Sequence, residues 1–273
     1  MVIFPNAKIN IGLYITGKRD DGYHNIESLF YPTGLQDALE FVVQPAGSYP
    51  DEFTVTGIET DCSIPDNLVM KAINLLRKDY NIPPLKIHLH KTIPAGAGLG
   101  GGSSDAAFML RYLNRYFSLG LDNDSLINLA LKLGSDCAFF IRNKPSIIRG
   151  RGDIIKEVQV SLEGKYLLLV HPGIHISTAE AYSMLKVDER EADILEDRIK
   201  MPLSSWKNNI TNDFQDIIIS RYPVTGDIID AIYDAGAIYC SMSGSGSAIY
   251  GIFRELPGNY FSGTDYWIWK GSL

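Results

Sequence analysis

Cysteine is scarce. Cys62, Cys137 and Cys240 are the only three in 273 residues, none pairs as C-x-x-C, and their number is odd. Such a set suggests neither a disulfide framework nor a zinc site, so no metal-ligating residues are assigned and a reduced cytoplasm is the expected home. Basic charge is short too. Lys and Arg number 25 against 32 Asp and Glu, for a net charge of −7. The densest positive spot, Arg149 to Arg151, is two arginines around a glycine, so the electrostatic stripe that tracks nucleic acid is missing. No apolar run nears the about 18 residues of a membrane span, and Lys8 and Asn10 arrive too soon for a secretory signal. The expected partner is therefore neither nucleic acid nor membrane. No internal repeat or low-complexity segment is visible. A chain 45% hydrophobic and 21% charged suits a soluble globular protein of one large or two ordinary domains.

Glycine, by contrast, is concentrated. Five of the seven residues from Gly96 to Gly102 are glycine, within Pro94-Ala95-Gly96-Ala97-Gly98-Leu99-Gly100-Gly101-Gly102-Ser103-Ser104-Asp105. Each glycine loses much backbone entropy on ordering, so such a run persists where backbone bends sharply or approaches something closely. Ser103, Ser104 and Asp105 are good helix N-cap types. Ala106, Leu110, Leu113 and Phe117 then share one helical face. A bare loop feeding a helix N-terminus offers free N–H groups and a positive dipole end, an anion site most naturally filled by phosphate. The plainer alternative is a flexible surface loop, but those mix Gly with Ser, Asn and Lys and seldom run straight into a capped amphipathic helix. No lysine ends the run, so it is not a Walker loop. Gly96, Gly98 and Gly101 fit G-x-G-x-x-G, with Asp122 or Asp124 about 20 residues on. A dinucleotide fold, however, wants a buried strand running into the first glycine, and Pro94 intervenes.

Elsewhere periodicity assigns the elements. Ala7, Ile9, Ile11, Leu13 and Ile15 alternate with Lys8, Asn10, Gly12 and Tyr14, a strand with one core face and, on spacing alone, one solvated face. Ala38 to Val43 and Phe53 to Thr56 read as strands. Val69, Ile73, Leu76 and Tyr80 make a helical stripe. Leu85, Ile87 and Leu89 alternate with Lys86, His88 and His90, whose two histidines are read as an exposed sheet face. Asp124 opens a helix that Gly134 closes. Asp136, ahead of Cys137 to Ile141, is by position a cap or turn residue. Leu167 to Val170 reads as a central strand, and Ser177 to Tyr182 as a helix start. Asp188 to Lys200 is charged and reads as a solvated helix face. Asn212 caps a helix carrying Phe214 and Ile218. Ser241 to Ser247, between apolar segments, is longer than a tight hairpin needs. Tyr266 to Trp269 reads as a last strand without an assigned function.

Pro94, Gly98-Leu99-Gly100, Ser103-Ser104 and Ala106-Ala107 together resemble the central motif of the GHMP kinases, the small-molecule kinases related to galactokinase, homoserine kinase and mevalonate kinase. The triple glycine followed by Ser-Ser resembles the diphosphocytidyl-methylerythritol branch, as do Pro5-x-Ala7-Lys8-x-Asn10 and Arg19-x-Asp21-Gly22-Tyr23-His24. Gly134-x-Asp136-x-x-Phe139-Phe140 matches the place of the family's catalytic aspartate. Ser241 to Ser247 resembles its third motif, a glycine loop that packs against the phosphate site.

The resemblance implies an α+β fold in two domains, the first ribosomal-protein-S5-like and the second ferredoxin-like, with the active site in a cleft between them. It implies an N-terminal ATP-binding domain over residues 1–155 and a C-terminal domain over 156–273. ATP and Mg²⁺ are the implied cofactors. Pro94, Gly96, Gly98, Leu99, Gly100, Gly101, Gly102, Ser103 and Ser104 would hold ATP, with Asn67 and Lys91 near the adenine. Lys8 and Asp136 would be catalytic, Asp136 as base or as positioner. Asn10, Tyr23, His24, Thr178 and Tyr182 would bind the substrate, a cytidine diphosphate derivative, with Tyr23, His24 and Tyr182 around the base. A monomer or weak homodimer is implied. Another GHMP kinase, or a non-catalytic nucleotide binder, stays open as a rival.

Overall fold

The computed structural model describes residues 2–45, 50–60, 62–185 and 194–273. In chain order the strands are β1 (Val2–Ile3), β2 (Asn6–Lys18), β3 (His24–Gln36), β4 (Ala38–Val43), β5 (Glu52–Gly57), β6 (Leu85–Lys91), β7 (Ser146–Gly150), β8 (Ile154–Glu157), β9 (Tyr166–His171), β10 (Tyr239–Met242), β11 (Ile249–Phe253) and β12 (Trp267–Ser272). The helices are α1 (Leu68–Leu76), α2 (Gly101–Tyr116), α3 (Asn123–Leu131), α4 (Ser135–Arg142), α5 (Thr178–Met184), α6 (Ile194–Arg198), α7 (Trp206–Asn209), α8 (Gln215–Arg221) and α9 (Val224–Asp234).

The chain divides into two compact units. One comprises residues 1–7, 35–95 and 100–144, the other 8–34, 96–99 and 145–273.

In the first unit the sheet runs β1-β4-β6-β5. β4 and β6 are antiparallel, and β5 lies parallel to β6. β6 alternates strictly between buried and exposed, with Leu85, Ile87 and Leu89 in the core and His88 and His90 outside against the Thr56 hydroxyl. Helices α1 to α4 supply the rest of this core. Val69, Ile73 and Leu76 from α1, Met109, Leu110 and Leu113 from α2, and Phe139 and Phe140 from α4 are all buried. The sequence suggests no helix for Ser135–Arg142, because its mixed pattern is apolar nearly all round. That is the pattern of a helix buried on most sides.

The second unit carries two sheets, β2-β3-β7-β8 and β10-β11-β9-β12. β9 is the central strand of the latter, antiparallel to both β11 and β12. Leu168, Val170, Ile249 and Phe253 pack against Ile228, Ile229 and Ile232 of α9. Around β2, Leu13 and Ile15 meet Ile176, Phe214, Ile218 and Met242.

β2 departs from the half-solvated reading: its polar face is buried too, with Lys8 3% and Asn10 2% exposed. Chain packs over that face and along its edge. Leu13 exchanges backbone hydrogen bonds with Thr211 and Asp213, and the Tyr250 hydroxyl donates to the Asn10 carbonyl at 2.8 Å. Of the charged stretch 188–200, residues 188–193 lie outside the described residues. In α6 Leu195 is fully buried, so that part is not a purely solvated face. Cys62 is exposed, while Cys137 and Cys240 are buried.

Candidate active site

In the second unit the site residues gather on β2 and two glycine loops. The Lys8 amide donates to the Leu99 carbonyl at 3.0 Å. The Lys8 ammonium donates to the Gly98 carbonyl at 2.9 Å and to the Asn10 amide oxygen, and lies 4.3 Å from the Phe30 ring centroid. A lysine this buried keeps its charge only with such partners. Asn10 in turn donates from Nδ2 to Ser28 Oγ at 2.9 Å, and its backbone N–H donates to Ser243 Oγ at 3.1 Å.

Ser243 opens the loop between β10 and β11. Its hydroxyl donates to the Gly98 carbonyl at 2.9 Å, and Ala248 donates its N–H to the Ala97 carbonyl at 3.2 Å. Gly98 holds φ +77°, and a Cβ on it would overlap the Ser243 carbonyl, so no other residue fits without displacing that loop. The packing expected of Ser241 to Ser247 against the glycine run is thus present, and the hairpin reading alone is too small for it. Asn212 holds the same loop from beneath. Its Nδ2 donates to the carbonyls of Met242 and Gly244 at 2.9 and 2.8 Å, while its Oδ1 accepts from Phe214 N at 2.9 Å. The sequence makes Asn212 a helix cap, whereas α8 begins at Gln215 with Phe214 as its N-cap; Asn212 holds the chain just ahead of it and the loop, a contact no local pattern announces. Gly96 carries the His175 ring, which a Cβ would meet at 3.0 Å.

His24 and Tyr182 also come together here. Their rings stack at 4.9 Å with 22° between planes, and Phe214 meets Tyr182 edge-on at 5.0 Å. Tyr23 is 58% exposed, and the Arg151 guanidinium lies 5.8 Å from its ring centroid. Thr178 is the first residue of α5, whose cap is Ser177.

In the first unit Pro94 leads toward the glycine run, and α2 begins at Gly101, with Gly100 as its N-cap at φ +72°. Ser103, Ser104 and Asp105 are therefore inside the helix rather than caps. A left-handed glycine turns the chain three to five residues earlier than a side-chain cap at Ser103, Ser104 or Asp105 would. Gly102 is exposed and Ser103 half-buried, while Gly101, Ser104 and Asp105 are buried. Ser104 Oγ has no hydrogen-bond partner, an orphaned buried hydroxyl in the first turn of the helix expected to hold phosphate.

Asn67 caps α1, accepting from Val69 N at 2.9 Å. Lys91 donates to Asp105 Oδ2 at 2.8 Å and to Asp37 Oδ2. Burial opposes the Lys91 charge, but the Asp105 and Asp37 carboxylates outweigh it and its pKa is raised. Burial pushes Asp105 up to about 7, against the pull of Lys91 and with the Asp37 charge adding to the rise. The sequence marks neither aspartate as a site residue: Asp105, ahead of Ala106-Ala107, reads as a cap, and Asp37 stands in no motif. Asp136 lies half-buried in the first turn of α4, where the positive helix end favours a carboxylate. Beside it, burial first of all pushes the Cys137 thiol up to about 12.

Each unit thus carries groups of the kind phosphoryl transfer uses, which needs positioning and charge stabilisation above all: the second a buried lysine on the carbonyls of the glycine loop, the first a bare helix N-terminus and an aspartate in a helix first turn. Residues 67–144 match the family model for the GHMP kinases N-terminal domain, and residues 199–258 that for the GHMP kinases C-terminal. A protein of Bacteroides thetaiotaomicron called 4-diphosphocytidyl-2-C-methyl-D-erythritol kinase is 47% identical, with 100% of both chains covered. The chain belongs to the GHMP kinases. A second relative of the same name, from Parabacteroides distasonis, is also 47% identical over 100% of each chain. A crystal structure of 4-(cytidine 5′-diphospho)-2C-methyl-D-erythritol kinase superposes with a TM-score of 0.77, at 28% identity, covering 92% of this chain and 90% of that one. The fold is accordingly the two-domain α+β fold of the GHMP kinases, and the chain is an ATP-dependent small-molecule kinase.

Proposed function

We propose that this GHMP kinase transfers the γ-phosphoryl group of ATP to the 2-hydroxyl of 4-diphosphocytidyl-2-C-methyl-D-erythritol, in isoprenoid precursor synthesis. The observation that carries the substrate is the His24–Tyr182 ring pair, an aromatic surface suited to a cytosine base, in a chain alike end to end to kinases of that name. Thr178 and the exposed Tyr23 complete the substrate side, and Asn10 orients the reacting hydroxyl. Residues 1–155 would supply the ATP-binding domain and 156–273 the C-terminal domain, a division that the two family-model matches support.

Pro94, Gly96 and Gly98 to Gly102 hold the polyphosphate with the N-terminus of α2 in this reading, and Asn67 flanks the adenine on resemblance alone, whereas the Lys91 ammonium, expected there too, is held by Asp37 and Asp105. Asp136 accepts the proton of the 2-hydroxyl as its oxygen bonds to the γ-phosphorus and the bond to ADP breaks. Lys8 offsets the charge on the transferring group. Among the described residues no three His, Cys, Asp or Glu side chains gather as a metal site. Mg²⁺ in such sites is held by one or two carboxylates, waters and the substrate phosphates. The unpartnered Ser104 hydroxyl, or that of Ser103, would be its protein contact, and the ion would supply neutralisation of phosphate charge. A cytoplasmic monomer or weak homodimer completes the proposal; no described helix is long and apolar enough to cross a membrane.

A coupled ADP-release assay over a small panel tests it. The cytidylated substrate should turn over, while methylerythritol phosphate lacking the cytidine, homoserine, mevalonate and galactose should not. Remote binding groups often supply the energy that orients the reacting centre. Comparable kcat/KM with and without the cytidine would defeat the substrate assignment.

A further inference from the structure

Three charged side chains of the first unit are almost wholly buried, with Lys91 4%, Asp37 0% and Asp105 1% exposed. They come from three elements. Lys91 ends β6, Asp37 sits between β3 and β4, and Asp105 is the fifth residue of α2. One ammonium joins them through Asp105 Oδ2 at 2.8 Å and Asp37 Oδ2. The other oxygen of Asp37 accepts the backbone N–H groups of Thr92 and Ile93 at 2.6 and 2.9 Å. Those two residues lead directly into Pro94. At the far end, a Cβ on Gly101 would lie 3.2 Å from the Lys91 ammonium, so this charge rests against the first residue of α2.

We propose that Asp37 and Asp105, acting through Lys91, are positioning residues that clamp both ends of the glycine run and so hold it ready for the nucleotide phosphates. The physical need is plain. A run this rich in glycine is entropically costly to order, and a loop with fixed ends has fewer conformations to lose on binding. The proposal rests on the reading that this run holds ATP. It also gives Lys91 a different task from a direct contact with the nucleotide, because its charge is already engaged by two carboxylates. Breaking a buried pair by removing one partner leaves an uncompensated charge, so the arrangement tolerates little slack.

The test uses the full-length protein, with steady-state kinetics for both substrates and ADP titration by calorimetry. Asp105→Ala should raise KM for ATP and Kd for ADP about tenfold, the effect of losing one charge-assisted hydrogen bond, while KM for the phosphoryl acceptor stays within about twofold. Asp105→Asn keeps an oxygen for Lys91 and should restore most of the ADP affinity. If Lys91 instead contacts the nucleotide, Asp105→Ala frees it and ADP binds as tightly or more tightly, whereas Lys91→Met alone weakens binding; that pattern overturns the clamp. Equal rises in both KM values overturn it as well, since they mark general damage. Should Asp105→Ala fail to fold, the triple variant Asp37→Asn, Lys91→Met, Asp105→Leu removes all three charges together, and unchanged ADP affinity in it overturns the clamp. Absence of turnover by the wild-type chain with every acceptor would sink the kinase reading instead, leaving the ADP titrations to judge the clamp.

Discussion

His24 and Tyr182, 158 positions apart in the chain, stack with ring centroids 4.9 Å apart and 22° between their planes. Phe214 fixes Tyr182 from its edge at 5.0 Å. An aromatic pair of this kind contributes about 0.5–1.5 kcal/mol beyond its buried area. If a cytosine base uses this surface, Tyr182→Ala should raise KM for the cytidylated substrate by about threefold to tenfold, with KM for ATP unmoved. Tyr182→Phe should behave as wild type. Initial-rate kinetics varying each substrate in turn decide the matter, and a shift in KM for ATP alone would count against the pocket.

Asp136 carries the proposed proton transfer. Asp136→Asn keeps its shape and removes the charge, so kcat should fall by about 10²–10⁴, the usual worth of a positioned acid–base group. Both KM values should move far less, because the lost interaction is made in the transition state. Lys8→Met should lower kcat too. Its melting curve must accompany the kinetics, since the Lys8 ammonium also holds the Gly98 carbonyl. A folded Asp136→Asn protein retaining more than about a tenth of wild-type kcat would remove Asp136 from the reaction.

As one of the residues expected to hold ATP, Gly101 invites the expectation that Gly101→Val cripples ATP binding and leaves the fold largely intact. The structure corrects this. A Cβ there would lie 2.8 Å from Ile93 Cγ2, and Ile93 is fully buried. Gly101→Val should therefore destabilise the fold by about 1–3 kcal/mol, the cost of overpacking a core, besides disturbing the loop. Gly102, whose Cβ would meet only Leu68 at 3.9 Å, is the better probe. Gly102→Ala should keep or slightly raise the wild-type melting temperature, since alanine is the better helix former, and any loss of ADP affinity in it belongs to the loop.

Asp105 gives stability a pH dependence of unusual sign for a carboxylate. Its folded value near 7 lies above the ordinary 3.8, so between those values the folded chain holds a proton that the unfolded chain has released. The stabilisation from this group is complete below about pH 4 and is lost as pH rises toward and through 7. Asp105→Asn removes the effect. Relative to wild type, it should gain melting temperature between pH 5 and pH 8, and thermal melts of both proteins across that range check the sign. Lys91 and Asp37, which face this carboxyl, remain in both.

Much of this was legible from residues. The alternation in β6, the stripes of α1 and α2 and the central β9 follow from local pattern, and the gathering of Tyr182 with His24 is what the family resemblance implies. What escaped did so for physical reasons. Lys8 and Asn10 occupy the polar side of a clean alternation, which reads as solvent-facing, because the segments that cover them come from residues 90 to 240 positions later and leave no local signature. Asp37, Asp105 and Ser243 act through partners distant in sequence, so no spacing announces them. Helix α2 starts at Gly101 rather than after Ser103, since a left-handed Gly100 replaces the side-chain cap that propensity favours.

The three thiols differ sharply in chemistry. Alkylating reagents attack the thiolate, and burial raises the pKa of both Cys137 and Cys240 while Cys62 alone stands exposed. Under native conditions a maleimide dye should thus attach once per chain, at a site five residues ahead of the Asn67 cap of α1. The protein comes already built as a single-label reporter, and a change in the emission of a dye at Cys62 on adding ADP becomes an optical test of the proposal that nucleotide binds near Asn67.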